Sequence, residues 1–282
     1  MISNNGKIHI KRYLGGFVPA IAQSIAFGVG SASENANDTK LSFEVGRADI
    51  IVTTFDFVSN QIVYKAALPE DFSGTIYEAA IYSVSADSAA GQFNSRLIAS
   101  FDSVSEEWLD GGNPSVFGAG NSRIGPNSLR QAPTALSSKT DAMNQLAIDL
   151  SGYSGNDKFV FAYNVGTANT TSIRFRFMTD SSNYYDITLG VQTTGYKVVE
   201  VSKSSAVATG SPDWGTITEL RVTTNSGAGG ASQVDFDGIR IEDTDTVNPD
   251  YVMVAREVLS SPYAQQDGRY QAVEFRLDVN IT

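Results

Sequence analysis

The segment SIRFRFM, residues 172–178, alternates between apolar and polar side chains: positions 173, 175 and 177 carry Ile or Phe, and positions 172, 174 and 176 carry Ser or Arg. Successive side chains of a β-strand point to opposite faces of the sheet. The segment therefore predicts a strand with one face in a core and one polar face. Similar short runs, separated by polar turns, fill most of the chain, so an all-β fold is expected.

At least seven such strands lie in the middle of the chain. The clearest ones cover residues 143–150, 159–165, 172–178, 184–191, 195–201, 217–223 and 234–241. This number of strands over this length is typical of a two-sheet sandwich or jelly roll.

The two ends of the chain predict a smaller, mainly-β domain. Residues 8–17 allow a short helix that Gly15-Gly16 ends, and a meander of strands follows from residue 40 to residue 82. Near the other end, a strand over 251–259 should break at Pro262. The segment 270–281 then alternates again, and its apolar face needs a partner, which we expect to be the N-terminal strands.

Two polar stretches, residues 84–96 and 243–250, have the composition of hinges. They flank the predicted jelly roll. We therefore predict that residues 97–246 form a jelly roll inserted into a domain made of residues 1–96 and 247–282.

Composition narrows the classes of function. Apolar residues make up 41% of the 282 positions, which argues against disorder, and the absence of cysteine excludes disulfides and thiolate metal sites. A net charge of −11 disfavours binding to nucleic acids or anionic membranes. No apolar run approaches the roughly 20 residues of a membrane span, and the start lacks the pattern of a secretory signal, so synthesis and assembly in a cytoplasm are expected.

Both chain ends carry short motifs in a defined order. They are Tyr13-Leu14-Gly15-Gly16, Ile25-Ala26-Phe27-Gly28-Val29-Gly30, Asp38-Thr39-Lys40-Leu41, Glu44-Val45-Gly46-Arg47, Gly74-Thr75-Ile76-Tyr77-Glu78-Ala79-Ala80, Val254-Ala255-Arg256, Asp267-Gly268 and Glu274-Phe275-Arg276-Leu277. This order resembles small virion structural proteins of tailed bacteriophages, of the tail-fibre, baseplate or head-decoration kind. The chain departs from the pattern of that family at Ala80, where glycine is usual.

The phage resemblance implies a structural rather than an enzymatic role. The split terminal domain would dock to other virion proteins on the tail, baseplate or capsid surface, and the jelly roll would project outward. It also implies a virion location and a homo-oligomer, with a trimer as one expected form.

Other motifs lie in the middle of the chain. They are Phe101-Asp102 with Trp108, Asp180-Ser181-Ser182-Asn183-Tyr184-Tyr185, Gly195-Tyr196, Asp213-Trp214-Gly215-Thr216-Ile217 and Val234-Asp235-Phe236-Asp237-Gly238-Ile239-Arg240-Ile241. These resemble the jelly rolls of carbohydrate-binding modules. The resemblance implies an alternative function, an adhesin that binds a host-surface glycan.

Aromatic side chains are the candidates for glycan contacts, because exposed rings stack on sugars. The candidates are Tyr184, Tyr185, Tyr196, Trp108 and Trp214. The alternative is that these rings belong to the core, as large aromatic side chains usually do. Since Tyr184 and Tyr185 are adjacent on one predicted strand, one of them should point outward.

No cofactor is required by the sequence, but the jelly-roll resemblance implies a structural calcium ion where the first strand meets the last. Asp102, Glu106 and Asp237 match the positions of its ligands, and calcium prefers such oxygen ligands. The alternative is that these carboxylates cap turns.

Catalysis is not expected, and no catalytic residue is assigned. His9 is the single histidine, and no nucleophile motif accompanies it. A lesser alternative is a polysaccharide depolymerase that uses paired carboxylates. Its candidates would be Glu106, Glu107, Asp110, Asp235 and Asp237.

Overall fold

The structure is a computed structural model that describes residues 1–68, 72–86, 95–102, 106–118, 121–144, 146–244, 251–265 and 271–278. Helix α1 spans Asn4–Leu14. The strands are β1 (Ser24–Gly28), β2 (Glu44–Asp49), β3 (Val52–Asp56), β4 (Gln61–Ala67), β5 (Gly74–Tyr82), β6 (Ser95–Ala99), β7 (Trp108–Asp110), β8 (Asn113–Pro114), β9 (Phe117–Gly118), β10 (Ser128–Gln131), β11 (Ser138–Met143), β12 (Lys158–Val165), β13 (Thr170–Met178), β14 (Tyr184–Leu189), β15 (Gly195–Ser202), β16 (Val207–Thr209), β17 (Glu219–Ser226), β18 (Val234–Glu242), β19 (Met253–Gln265) and β20 (Ala272–Asp278). Within these described ranges, no helix has the length and apolarity needed to cross a membrane.

The chain divides into two compact units. Unit 1 comprises Met1–Phe93 and Val247–Thr282, and unit 2 comprises Asn94–Thr246. The predicted fold class is confirmed: a jelly-roll sandwich is inserted into a mainly-β domain that has a short N-terminal helix. Most of the two predicted hinges, at 87–94 and 245–250, lies outside the described residues.

The described residues of unit 1 form two sheets, with strand orders β19-β5-β1-β2 and β20-β4-β3. Helix α1 is capped by Ser3, whose side-chain oxygen accepts a hydrogen bond from Gly6 N at 2.8 Å. The helix ends at Gly15, whose N–H donates to the carbonyl of Lys11. The predicted short helix is therefore confirmed, although it begins four residues earlier than residue 8.

The last strand of unit 1 pairs with an early one. In the antiparallel ladder of β20 and β4, Phe275 lies opposite Tyr64 and Leu277 lies opposite Ile62. Phe275 and Leu277 are buried in the core of unit 1. The predicted packing of the final alternating segment against N-terminal strands is confirmed for residues 272–278; residues 270 and 279–281 lie outside the described ranges.

The predicted break at Pro262 is wrong, because β19 continues through this residue. The pairing of β19 with β5 is interrupted between Val258 and Tyr263. Pro262 lies in this interruption, where its nitrogen has no ladder hydrogen bond to supply.

Unit 2 is a sandwich of two sheets. Sheet I has the strand order β15-β12-β18-β10-β9, with β6 also paired to β18, and sheet II has the order β16-β14-β13-β17-β11-β7-β8. Aromatic rings join the sheets: Phe161 of sheet I stacks on Phe175 of sheet II with 4.0 Å between ring centres, and Phe159 stacks on Phe177 at 4.8 Å. All four rings are fully buried, so they form the centre of the core.

The predicted strand over 143–150 is also wrong. Strand β11 ends at Met143, and beyond it Ile148 forms a single bridge with Ile217. Strand β11 lacks an apolar pattern because its inward-facing Asp141 is buried with polar partners. Gln131 Nε2 donates to the Asp141 carboxylate at 2.7 Å, and the Ser115 hydroxyl donates to it as well.

Candidate functional site

Polar side chains cover the outer face of sheet II. The alternation in β13 buries Ile173, Phe175 and Phe177 completely, so the intervening side chains point away from the core. We use the name polar face for the following outward-facing side chains of β11, β13, β14 and β17: Thr140, Ser172, Arg174, Arg176, Tyr184, Asp186, Thr188, Glu219, Arg221, Thr223 and Asn225.

Strand register arranges the polar face in rows. One row runs Thr188, Arg174, Thr223 and Thr140 across four neighbouring strands. Within it, the hydroxyls of Thr140 and Thr223 lie 2.9 Å apart. Hydroxyls and guanidinium groups are thus placed side by side across the sheet, where a hydroxyl can donate or accept hydrogen bonds and a guanidinium donates them.

The second row contains an ordered ion pair. Arg176 lies between Asp186 on β14 and Arg221 on β17. Two hydrogen bonds of 2.7 and 2.8 Å join the guanidinium of Arg176 to the carboxylate of Asp186, and they raise the pKa of Arg176. The same guanidinium lies 3.6 Å from the ring centre of Tyr184. This geometry holds both side chains in one orientation.

The predicted orientation of the tyrosine pair is confirmed, since Tyr184 and Tyr185 point to opposite sides of β14. Tyr184 is on the polar face and is partly exposed. Tyr185 packs against the core and stacks on Trp214, with ring centres 3.9 Å apart and an interplanar angle of 4°. The Tyr185 hydroxyl donates to the carbonyl of Pro212 at 2.8 Å. Tyr185 and Trp214 therefore stabilise one end of the sandwich instead of lying on the polar face.

Trp108 belongs to the core, so its interpretation as a glycan contact is wrong. Its side chain is 2% exposed and stacks on Phe101 at 4.7 Å. Its indole N–H donates to Glu106 at 2.8 Å. A large ring with its one donor satisfied is suited to burial.

The remaining aromatic candidate, Tyr196, lies on sheet I. Its hydroxyl donates to the Asp237 carboxylate at 2.5 Å, and the guanidinium of Arg123 lies 3.7 Å from its ring centre. Asp237 also accepts hydrogen bonds from the backbone N–H groups of Arg123 and Ile124. Burial raises the pKa of Asp237 to about 7. The structure thus brings together two predicted candidates, in a contact that ties a loop to β18.

The three predicted calcium ligands contact protein donors. Glu106 accepts from the backbone N–H groups of Ser100 and Phe101 at 2.6 and 3.0 Å, and Asp102 accepts from that of Asn127 at 3.1 Å. In the part of the chain that the structure describes, no three His, Asp or Glu side chains are grouped as a metal ion requires. These hydrogen bonds fit the alternative interpretation given above, in which the carboxylates cap turns.

The carboxylates considered for catalysis differ in burial and in hydrogen-bond partners. Asp235 is fully buried and accepts hydrogen bonds from Arg130, Asn121 and Gln233. Asp110 forms an ion pair of 3.1 Å with Lys139, and the exposed Glu107 follows Glu106.

His9 is buried in unit 1, where its Nε2 lies 3.0 Å from the carbonyl oxygen of Ala20. A surrounding of this kind fits a packed histidine.

Sequence reasoning missed Arg174, Arg176, Asp186 and Arg221 as site residues. The signal was present, because the alternation over 172–178 already placed two arginines on one face. The sequence does not show, however, that β14 and β17 flank β13 and bring Asp186 and Arg221 beside them.

Comparison with solved structures finds carbohydrate-binding modules and glycoside hydrolase domains. A family 30 carbohydrate-binding module is 16% identical, with a TM-score of 0.42, over 57% of this chain and 93% of its own. The family 11 module of the cellulosomal cellulase Lic26A-Cel5E of Clostridium thermocellum is 15% identical, with a TM-score of 0.40, over 53% and 95%.

The glycoside hydrolase domain of Endo-D from Streptococcus pneumoniae R6 is 14% identical, with a TM-score of 0.33, over 49% of this chain but only 22% of its own. No protein-family model matches the sequence, and no curated protein matches it. Likenesses this distant concern the fold alone and do not bear on the ligand of this chain.

Proposed function

We propose that the inserted jelly roll is a glycan-binding module and that the polar face of sheet II is its binding surface. The observation that carries the proposal is the meeting of a partly exposed Tyr184 ring with charged and hydroxyl side chains from four neighbouring strands. A sugar presents C–H groups that stack on an aromatic ring and hydroxyls that need polar partners. A surface that binds sugars therefore needs both kinds of side chain.

The size and order of the polar face suit an extended ligand. Its four strands span about 14 Å across the sheet, since neighbouring strands lie about 4.8 Å apart. Several side chains are held before any ligand arrives: Arg176 by Asp186 and Tyr184, and Asn225 by the Ser172 hydroxyl at 2.9 Å. Such ordering lowers the entropic cost of binding.

The proposal includes no catalysis. Asp235 and Asp237 are both 0% exposed and accept hydrogen bonds from protein groups, so they are poorly placed to reach a glycosidic bond. Incubation of the chain with every glycan that it binds should release no reducing sugar. Release that depends on either carboxylate would favour a depolymerase instead.

The binding proposal is tested on the full chain with a glycan array, followed by titration calorimetry on each ligand found. Tyr184→Ala should weaken binding at least about tenfold, which corresponds to about 1.4 kcal/mol. The matched control is Tyr196→Ala, which removes the same side chain from sheet I. Loss of binding in Tyr196→Ala alone would indicate a site on sheet I. An array on which no glycan binds would contradict glycan binding.

A second proposal concerns unit 1, and an exposed apolar hairpin favours it. At the turn between β3 and β4, Phe57 is 88% exposed and Val58 is 98% exposed, and Phe55 contacts Phe57 edge-on at 5.0 Å. Apolar groups this exposed are typical of attachment surfaces. We propose that this hairpin docks unit 1 to other virion proteins of a phage particle, in several symmetric copies.

Virion docking has its own test. Mass spectrometry of phage particles purified by density gradient should detect the chain, and Phe57→Ser with Val58→Ser should remove it. The control Val191→Ser changes an apolar side chain that is 76% exposed in unit 2 and should leave the chain on the particles. Absence of the unaltered chain from particles would contradict the virion role without affecting glycan binding.

A further inference from the structure

The polar face of sheet II carries one more cation than its carboxylates neutralise. Three arginines lie on it, Arg174, Arg176 and Arg221, against two acids. Asp186 is paired with Arg176, and Glu219 is paired with Arg221. Arg174 is the cation left over, in a chain whose net charge is −11.

Arg174 also has an unsatisfied donor. Its Nε is buried and makes no hydrogen bond, and no ion pair of Arg174 exists within the described residues. Its neighbours in register are the hydroxyl side chains of Thr188 and Thr223. A buried donor without a partner is costly in a folded protein, and here it means that none of the described residues compensates the charge of Arg174.

The surroundings of Arg174 concentrate positive charge. Arg176 lies two residues further along the same strand face, about 7 Å away, and Arg221 lies directly opposite Arg176. Like charges placed so closely oppose one another unless anions lie between them. Because the carboxylates of Asp186 and Glu219 already form ion pairs with Arg176 and Arg221, an additional anion would be needed to reduce the repulsion around Arg174.

We propose that the polar face selects acidic glycans, and that Arg174 binds the carboxylate of a uronic acid residue. This inference rests on the glycan-binding function proposed above. A guanidinium offers two parallel N–H donors that match the two oxygens of a carboxylate. Because Nε is buried, the terminal N–H groups of the partly exposed Arg174 side chain would supply these donors, and the exposed Thr188 hydroxyl lies beside Arg174 for a hydroxyl of the same sugar.

The test compares acidic and neutral forms of the same oligosaccharides on the full chain. The probes are hexamers of galacturonate, mannuronate and guluronate, each also as its methyl ester, with affinities measured by calorimetry at fixed salt. At least one acid should bind, and its ester should bind roughly 10- to 100-fold more weakly, the loss expected when a hydrogen bond to a charged group is removed.

Two variants separate a specific contact from general attraction. Arg174→Gln should lower the affinity for the acid by a similar factor and bring it close to that of the ester. The control Lys197→Gln removes the same charge from β15, where the ammonium donates to the exposed Thr193 hydroxyl at 2.9 Å, and it should change affinity less than about threefold. Thermal unfolding of both variants checks that unit 2 remains folded.

Each other outcome overturns the inference in a recognisable way. Esters that bind as tightly as acids would overturn acid selectivity and leave glycan binding standing, as would an array on which only neutral glycans bind. Equal losses in Arg174→Gln and Lys197→Gln would reduce the effect to non-specific charge. An array without any glycan ligand would contradict the proposed function itself.

Discussion

Replacing Arg256 by methionine should strongly destabilise unit 1. Arg256 on β19 donates to the carboxylate of Glu78 on β5 at 2.7 and 2.9 Å, and it pairs with Asp38 at 2.6 Å. The side chains of Arg256 and Glu78 are 4% and 0% exposed. Arg256→Met would leave the Glu78 carboxylate buried without its cation, at a cost of about 3–5 kcal/mol.

The matched control for this prediction is Arg276→Met. Arg276 forms an ion pair with Asp56 at 3.0 Å, but its side chain is 48% exposed, so the loss should be at most about 1 kcal/mol. Native-state hydrogen exchange of the β5 and β19 amides measures both variants. A double-mutant cycle with Glu78→Gln should show coupling above about 1 kcal/mol. A loss in Arg256→Met no larger than in the control would refute the argument that the pair is desolvated.

Two further predictions concern unit 2. Burial holds the pKa of Asp237 at about 7, above its ordinary value of 3.8, so the folded state binds a proton that the unfolded state releases between these values. The free energy of unfolding should fall as pH rises from about 4 to 7, and Asp237→Asn should flatten this dependence in urea titrations; an unchanged slope would contradict it. Trp214→Ala should cost about 3 kcal/mol in the same titrations, the low end of the range for a truncated aromatic ring, because the partly buried ring stacks on Tyr185 and contacts Phe177; Tyr184→Ala, which removes a ring from the polar face, should cost less.

Regular alternation made much of the fold predictable. Where apolar and polar residues alternate, as over 172–178 and 273–277, a strand and its buried face follow directly from the geometry of a pleated sheet. Strand β11 was not predicted, because its inward-facing position 141 carries an aspartate instead of an apolar residue. The Asp141 carboxylate accepts a hydrogen bond from Gln131 on another strand, a contact that local composition cannot show. The break predicted at Pro262 was wrong because proline is tolerated where the hydrogen-bond ladder between β19 and β5 is interrupted.

The candidate site was less predictable than the fold. Residue type identified aromatic rings, but only the tertiary structure separates Tyr184 on the polar face from Tyr185 against the core and from the buried Trp108. Arg174 became a candidate because its neighbours on β14 and β17 provide no carboxylate to pair with its guanidinium. Such a property belongs to strand order, which one sequence does not specify.

The central claim is that glycans bind on the polar face of sheet II, and hydrogen–deuterium exchange with and without a glycan found on the array tests it most directly. Saturating ligand should slow exchange in β13, β14 and β17, around Arg174, Tyr184 and Thr223, and should leave β12 and β15 unchanged. Protection confined to β12 and β15 of sheet I, or to unit 1, would contradict the account.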